Sequence, residues 1–161
     1  MNKFFPLLAL GFGFVTAAQA SDGCQHEADR SATLDAAGAH KVVIGTGAGD
    51  LEVRGAPGQT RLQATGRACA SSEELLGQIQ LQSRRDGDTL YLKAVMPETN
   101  GFNFNHRATL DLKVTLPDSI AVELEDSSGD VELENVQSAI VSDTSGDLDV
   151  ENVRGNLQIA D

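Results

Sequence analysis

One eleven-residue segment near the C-terminal end of the chain occurs twice, and this repeat constrains the fold more than any other feature. Residues 126–136 read DSSGDVELENV, and residues 143–153, seventeen positions later, read DTSGDLDVENV. Most positions are identical, and the others are conservative changes. A weaker copy, GDLEV, occupies residues 49–53. Similarity at a short, fixed offset is typical of folds that stack one structural unit on the next.

Each copy has the two-residue period of a β-strand with one buried face. Val131 and Leu133 are predicted to point to one side of their strand, and the acidic residues between them to the other. The Ser-Gly-Asp triplet before the strand indicates a turn in which Gly129 or Gly146 can adopt a positive φ. An asparagine after the strand breaks the alternation and lets the following valine face inward again.

A unit of seventeen residues cannot enclose a hydrophobic core alone, so the copies are predicted to stack about 4.8 Å apart. The pairs predicted to stack are Val131 with Leu148, Leu133 with Val150, and Asn135 with Asn152. The second strand of each coil, around Val141 and Ile159, recurs after eighteen residues, with one residue inserted near Gly155. We therefore predict an all-β fold with a short-coil β-solenoid of 17–18 residues per coil. An antiparallel meander is the alternative, although it gives no reason for the recurrence.

The central part of the chain is less regular and is predicted to contribute strands, a hairpin and one short helix before the solenoid. The predicted strands are residues 42–44, 51–53, 61–68 and 108–116. Residues 71–76 combine a capping serine, early acidic residues and apolar followers, which indicates a helix. Residues 79–83 and 89–93 flank Asp86-Gly87-Asp88, which is a hairpin pattern.

Residues 1–20 have the anatomy of a secretory signal peptide, and residues 21–161 then form a single β-strand-repeat domain. Lys3 provides a positive start, an apolar stretch follows, and Ala18-Gln19-Ala20 forms a small-x-small cleavage site. The predicted location is extracytoplasmic, in the periplasm or at the cell surface. After cleavage, no apolar stretch of membrane-spanning length is predicted.

Two cysteines, Cys24 and Cys69, remain after cleavage. In an oxidising compartment such a pair is predicted to form a disulfide, which would hold the mature N-terminus on the first strands. The alternative is a lipoprotein in which Cys24 is acylated. The Ser21-Asp22-Gly23 sequence before it lacks the apolar residue expected there and fits that alternative poorly.

The segment from Leu110 to Leu133 resembles the bacterial "putative adhesin" family of exported β-strand-repeat proteins. Shared features are an alternating strand that ends in Leu-Pro, at Leu116-Pro117, and coils punctuated by Ser-Gly-Asp. The resemblance extends from about Lys41 to the end of the chain and is strongest from Leu110 to Ile159. It implies a β-solenoid outside the cytoplasm and carries over no catalytic motif.

Asp161 lies in register with Asp126 and Asp143, where a further Ser-Gly-Asp coil would begin. Members of the family usually continue with further coils, so we hypothesise that the sequence is a truncated product. The alternative is a last strand with an open edge that pairs with a partner or with a second copy of the chain.

The chain is acidic, with a formal charge of −12, which argues against nucleic-acid binding. Residues 118–161 carry twelve acidic residues and one basic residue, Arg154. Stacked coils would align these carboxylates, and Ca²⁺ is the cation that could relieve their repulsion. The candidate ligands are Asp126, Asp130, Asp143 and Asp147. The alternative, which we favour, is that the turn aspartates bond to backbone and no cofactor is bound.

Catalytic patterns are absent from the sequence: there is no HExxH, CxxC or GxSxG motif. We therefore predict a non-enzymatic, adhesin-like or envelope-associated structural and binding module with an unidentified envelope or surface partner. A Ca²⁺-binding acidic β-repeat module and a polysaccharide-active β-helix enzyme are the alternatives. Phe102 and Phe104, in the polar stretch NGFNFN, are candidates for a recognition loop, or they fold back over the sheet.

Overall fold

A computed structural model describes residues 24–98, 107–125, 128–142 and 145–160. Within these ranges the chain forms twelve strands and one short helix, so the prediction of an all-β fold is confirmed. The strands are β1 (His26–Asp35), β2 (Lys41–Gly45), β3 (Leu51–Ala56), β4 (Arg61–Ala70), β5 (Gln80–Asp86), β6 (Thr89–Val95), β7 (Ala108–Pro117), β8 (Ala121–Glu125), β9 (Val131–Glu134), β10 (Ser138–Ser142), β11 (Leu148–Glu151) and β12 (Leu157–Ala160), and the helix is α1 (Glu73–Gln78).

The strands form two mixed sheets of six strands each. Sheet A has the order β1-β4-β7-β3-β9-β11, and sheet B has the order β12-β10-β8-β2-β6-β5. The pairs β1–β4, β4–β7 and β5–β6 are antiparallel, whereas the remaining neighbours are parallel. Neither sheet closes on itself, so each sheet ends in two edge strands.

The register predicted for the repeat is confirmed. Strands β9 and β11 run parallel, with Val131 opposite Leu148 and Leu133 opposite Val150. Strands β10 and β12 are also parallel, and Val141 lies opposite Ile159, eighteen residues later. The weaker copy joins the same series, because β3 pairs with β9 in parallel. An antiparallel meander is therefore wrong for this part of the chain.

The main hydrophobic core lies between the two sheets and consists almost entirely of aliphatic residues. Alternate positions on the strands of both sheets are buried, with Val42 and Ile44 from sheet B and Val53 and Leu133 from sheet A all fully inaccessible. The residues between them face outward. Each strand thus presents one apolar face, and the apolar faces of the two sheets pack against each other. Burying a Val, Leu or Ile side chain contributes about 1.5–3 kcal/mol, and this alternation therefore provides the main stabilisation.

The helix and the hairpin form at the predicted positions. Ser72 caps α1, and its hydroxyl accepts a hydrogen bond of 3.2 Å from the N–H of Leu75. Strands β5 and β6 pair around Gly87, which has a φ of 60°. A smaller core of Ala68, Ala70, Ile79, Ala94 and Leu110 packs below the helix.

Strand β1 was not predicted, because its inward-facing positions include a charged residue. Arg30 lies on the half-buried side of β1, where its guanidinium donates hydrogen bonds to the carbonyls of Ile79, at 2.7 Å, and Leu76, at 2.9 Å. These carbonyls lie at the C-terminal end of α1, so Arg30 satisfies acceptors that a helix end leaves open. The arginine thus replaces the apolar residue that would have completed the alternation.

The N-terminal strand is also held covalently, because Cys24 and Cys69 form the predicted disulfide, with their Cα atoms 5.5 Å apart. Cys69 lies on β4, which pairs with β1 along its whole length. The bond therefore fixes the start of β1 to the strand beside it.

Candidate binding surfaces

Glycines at the turns before β3, β9 and β11 allow successive repeats to approach closely. Gly49, Gly129 and Gly146 have φ values of 127°, 131° and 134°, which side chains of L-residues rarely allow. A Cβ atom on Gly146 would collide with the carbonyl of Gly129, and one on Gly129 would collide with the carbonyl of Gly49. The glycine of the Ser-Gly-Asp triplet is therefore required by both conformation and space.

The aspartate that follows each glycine connects neighbouring strands. The carboxylate of Asp130 accepts a hydrogen bond of 3.1 Å from the N–H of Asp147, and Asp50 accepts one of 3.3 Å from the N–H of Asp130. Asp111, at the corresponding position on β7, accepts one of 3.1 Å from the N–H of Asp50. These turn carboxylates bond to the backbone of the next strand, which explains their recurrence without a bound ion.

A similar row occurs at the other end of the strands. Asn135 and Asn152 adopt the left-handed conformation, with φ values of 58° and 55°. The Nδ2 atom of Asn152 donates a hydrogen bond of 3.2 Å to Oδ1 of Asn135. Asparagine tolerates this conformation better than most residues and stacks on its own copy, as the sequence predicted.

On the outer face of sheet A, ion pairs lie around β3 and β7, whereas like charges lie opposite one another on β9 and β11. Lys113 on β7 forms an ion pair with Glu52 on β3 and holds the pKa of that carboxyl below its ordinary value, with a smaller effect of Arg54. Arg54 also forms an ion pair with Glu134 on β9. Beyond β3 the register continues with like charges, because Glu132 lies opposite Asp149 and Glu134 lies opposite Glu151. The density of negative charge on this face therefore increases toward β11.

A shallow depression of about 820 Å³ lies across this outer face. Residues from the six strands of sheet A and from the turns before β3, β9 and β11 surround it. Those that carry charge are Asp29, Arg30, Asp50, Glu52, Arg67, Asp111, Lys113, Asp130, Glu132, Asp147 and Asp149. The guanidinium of Arg30 points to the inward side of β1, so the cations of this face are Arg67 on β4 and Lys113 on β7. The charged groups from β9, β11 and the turns before them are all carboxylates.

The outer face of sheet B has a different character. The guanidinium carbon of Arg84 lies 3.8 Å from the centre of the Tyr91 ring. Gly45 on the neighbouring strand has no side chain, and a second depression of about 480 Å³ lies beside Tyr91, Lys93 and Glu125. Nearby, the ion pair of Lys41 with Glu123 raises the pKa of the Lys41 ammonium.

The end of the core beside β11 and β12 is incompletely covered. Leu133 and Val141 are fully inaccessible, but their counterparts Val150 and Ile159 are not. Val150 is half-buried, and Ile159 is 51 % exposed. Leu157, on the same side of β12, is 44 % exposed. No further strand covers these inward-facing side chains in the part of the chain that the structure describes.

The structure brings Asp130 and Asp147 together, as predicted, whereas Asp126 and Asp143 lie outside the described residues. Phe102 and Phe104 also lie outside them, and their role in recognition stays a prediction. Among the described residues, no group of three or more His, Cys, Asp or Glu side chains is arranged to hold a metal ion. Sequence reasoning missed Asp50 and Asp111, although the GDLEV copy marked the first of them.

The described residues include no helix whose length and hydrophobicity would allow it to cross a membrane.

No family model matches the chain, and no curated protein matches it either. Solved structures do resemble it. A putative cell adhesion protein from Clostridium sporogenes matches 83 % of this chain and 66 % of its own, with 16 % identity and a TM-score of 0.51. This similarity establishes a shared fold.

Two further structures have lower TM-scores. A putative adhesin from Bacteroides fragilis gives 0.38 with 14 % identity, covering 84 % of this chain and 62 % of its own. A putative lipid binding protein from Parabacteroides distasonis gives 0.43 with 14 % identity, covering 85 % of this chain and 61 % of its own. The chain thus spans a little under two thirds of the length of these proteins.

Proposed function

We propose that the protein is an exported, non-enzymatic module of the cell envelope that binds a surface or envelope partner, as adhesin-like proteins do. The observation that carries this proposal is the set of stacked rows at the repeat turns. Gly129 with Gly146, Asp130 with Asp147 and Asn135 with Asn152 occupy equivalent places in successive repeats. Such rows build a rigid scaffold with long outer faces, which suits binding better than catalysis.

The architecture in this proposal is a short-coil β-solenoid in which each coil contributes one strand to each sheet. The parallel registers of β8 with β10 and of β9 with β11 support this description. The named adhesion protein of similar fold and the Cys24–Cys69 disulfide support a role outside the cytoplasm. A signal peptide at residues 1–20 would provide the route of export.

Two observations weigh against the alternative functions. The carboxylates of Asp50 and Asp130 already accept backbone hydrogen bonds, which lowers the need for Ca²⁺ at the turns. The described residues that surround the depression on sheet A include no aromatic side chain, whereas enzymes that act on polysaccharides usually present rings in a cleft. Titration calorimetry with Ca²⁺ tests the first alternative, and a heat of binding with a raised melting temperature would establish it.

Export and binding can be tested separately. Mass spectrometry of the protein from fractionated cells should find a chain that begins at Ser21 in the periplasmic or surface fraction. Full-length protein in the cytosol would contradict export. The purified mature protein should then sediment with isolated envelopes, and a retained fraction no greater than that of an unrelated acidic protein would contradict the binding role.

A further inference from the structure

Gly45, on the outward side of β2, is a glycine that neither its backbone nor its surroundings require. Its φ is not positive, and it pairs in regular register with Lys93 on one side and Glu125 on the other, which excludes a bulge. A Cβ atom on Gly55 or Gly66, the other glycines in the described strands, would collide with a backbone carbonyl. One on Gly45 would meet only the Cγ atom of Lys93, at 3.9 Å, which is an ordinary contact. A glycine lowers the stability of a strand, and one without a steric reason often marks a place where a ligand approaches the backbone.

The polar side chains around Gly45 are free to bind a ligand. Lys93 and Glu125 lie on the two strands beside it, so their Cα atoms are about two strand spacings, or about 10 Å, apart. Gln82 lies opposite Lys93 on β5. None of these three side chains forms a hydrogen bond or an ion pair with another described residue. Together they border the depression of about 480 Å³ on sheet B, which is large enough for a small ligand.

Arg84, which also borders the depression, is held in place by an aromatic ring. Its guanidinium carbon lies 3.8 Å from the centre of the Tyr91 ring, directly opposite on β6. The carboxylate of Asp86 lies 3.8 Å from Nη1 of Arg84, which is beyond hydrogen-bond distance, and the arginine side chain is 62 % exposed. The ring therefore orients a planar cation whose N–H groups remain available to a ligand.

These groups match a molecule that has a carboxylate, hydroxyl groups and an apolar face. A guanidinium binds a carboxylate through two parallel hydrogen bonds, and Lys93 adds a second positive charge beside Arg84. Glu125 and Gln82 can accept hydrogen bonds from hydroxyl groups. The ring of Tyr91 provides apolar surface for C–H groups. A sugar unit with a carboxylate combines all three features.

We propose that the depression on the outer face of sheet B binds a sugar unit that carries a carboxylate, such as a uronic acid residue of an envelope or surface glycan. The carboxylate pairs with Arg84 and Lys93, the sugar ring lies over Gly45, and a hydroxyl group donates to Glu125. This inference rests on the proposed binding role and specifies the chemical class of the ligand.

Other ligands fit the same groups less well. A neutral sugar leaves Arg84 and Lys93 without an anion, and an acidic peptide side chain brings no hydroxyl groups to Glu125. A polymer with closely spaced negative charges is repelled by strand β8, whose Glu123 and Glu125 lie on the outer face beside the site. A glycan with isolated carboxylates avoids this repulsion.

The chain contains one tyrosine and no tryptophan, so the intrinsic fluorescence of the mature protein reports on Tyr91 directly. Two probes, methyl β-D-glucuronide and methyl β-D-glucoside, differ only in having a carboxylate or a hydroxymethyl group. We expect the glucuronide to change the emission saturably, to bind at least about tenfold more tightly than the glucoside, and to bind more weakly as NaCl is raised. A third probe, N-acetylglutamine, carries a carboxylate without a sugar ring and should bind more weakly than the glucuronide. Equal affinity for the two sugars, equal affinity for N-acetylglutamine, or no saturable change with the glucuronide would overturn the proposal.

Three variants locate the binding. Gly45→Val fills the space above β2 without a collision, so it should keep or raise the melting temperature while lowering the affinity for the glucuronide at least about tenfold. Arg84→Gln should remove the preference for the glucuronide over the glucoside. Arg61→Gln, on β4 of sheet A, makes the same change in net charge and should retain that preference.

Native affinity in a folded Gly45→Val variant, or an unchanged preference in Arg84→Gln, would overturn the assignment of the site. If the glucuronide does not bind while the protein still sediments with envelopes, the binding role stands and this depression is not its site.

Discussion

The carboxylate of Asp130 accepts a hydrogen bond of 3.1 Å from the backbone N–H of Asp147, the residue seventeen positions later. The N–H of Asp130 itself donates to the carboxylate of Asp50. One side chain type thus joins three strands that are adjacent in sheet A but distant in the sequence. The turn aspartates have a structural role that does not depend on any ligand.

Replacing Asp130 should show how much these aspartate-to-backbone hydrogen bonds contribute to stability. We expect Asp130→Ala to lower the free energy of unfolding by about 1 kcal/mol, because the N–H of Asp147 loses its acceptor. Asp130→Asn keeps an acceptor oxygen and should retain most of the stability. Urea unfolding would measure both, with Asp149→Ala as the control. If all three variants behaved alike, the hydrogen bond would not be the cause.

Substitutions of the stacked turn glycines should destabilise the fold more than the loss of an aspartate hydrogen bond does. Gly129→Ala should lower the free energy of unfolding by about 3 kcal/mol or more, because φ is 131° and the new Cβ would collide with the carbonyl of Gly49. Gly77→Ala is the matched control, because a Cβ there meets no atom within 4 Å and lies in α1. The control should leave stability unchanged or raise it by up to about 1 kcal/mol. A small loss at Gly129 would contradict the close approach of the repeats.

Stability should decrease along the repeat series toward β11. Leu133→Ala removes a fully buried side chain and should cost about 2–5 kcal/mol in thermal or urea unfolding. Val150→Ala, at the equivalent place one repeat later, should cost less than about 1 kcal/mol because Val150 is half-buried. Comparable losses at the two positions would mean that another strand covers β11 in solution.

The disulfide closes a long segment of chain. Cys24 and Cys69 are separated by 45 residues, and the chain-entropy model gives about 4 kcal/mol for a loop of this length. Cys24→Ser/Cys69→Ser should therefore lower the melting temperature markedly, and reductant should have the same effect on the native protein. Added reductant should not lower the melting temperature of the double variant further. If it did, the loss in the native protein could not be assigned to this bond.

Two ion pairs on the outer faces should make the free energy of unfolding depend slightly on pH. Lys113 lowers the pKa of Glu52 in the folded state, so this pair stabilises the fold above the ordinary pKa of a glutamate and loses its effect as the pH falls through the lowered value. Glu123 raises the pKa of Lys41, so that pair stabilises below the ordinary lysine pKa and loses its effect as the pH rises through the raised value. Each contribution should stay below about 1 kcal/mol because the side chains are partly exposed.

Urea unfolding of Glu52→Gln and of the native chain, compared at several acidic pH values, tests the effect of the Glu52–Lys113 pair. The difference between their free energies of unfolding should shrink as the pH falls through the lowered pKa of Glu52. A difference that stays constant over that range would contradict the assignment of this effect to the Lys113 pair.

The sequence predicted the repeat region well because each residue there satisfies a local requirement. Alternation, a glycine with positive φ and an asparagine in the left-handed conformation all recur at the same offset, so pairing Leu133 with Val150 followed directly. Strand β1 was not predicted because Arg30 occupies an inward position. The carbonyls of Leu76 and Ile79, which accept hydrogen bonds from its guanidinium, are 46 and 49 residues away in the sequence. Contacts of that kind depend on tertiary packing, which no local pattern contains.

The candidate binding surfaces were predictable only in part. The acidic rows followed from the repeat, whereas the contact of Arg84 with Tyr91 and the cations that pair with Glu52 and Glu134 depend on the order of strands. That order places β2 and β3 between strands that come later in the sequence. Local residue patterns do not encode such an insertion, because it depends on contacts between strands that are distant in the sequence.

The same insertion affects how the chain can assemble. Strand β2 lies between β6 and β8, and β3 lies between β7 and β9, so both early strands have both neighbours downstream. As the chain is synthesised, residues 41–56 emerge well before any of their partners. Folding therefore cannot proceed coil by coil from the N-terminus, because β2 has both neighbours only once residues 121–125 are present, and β3 only once residues 131–134 are present.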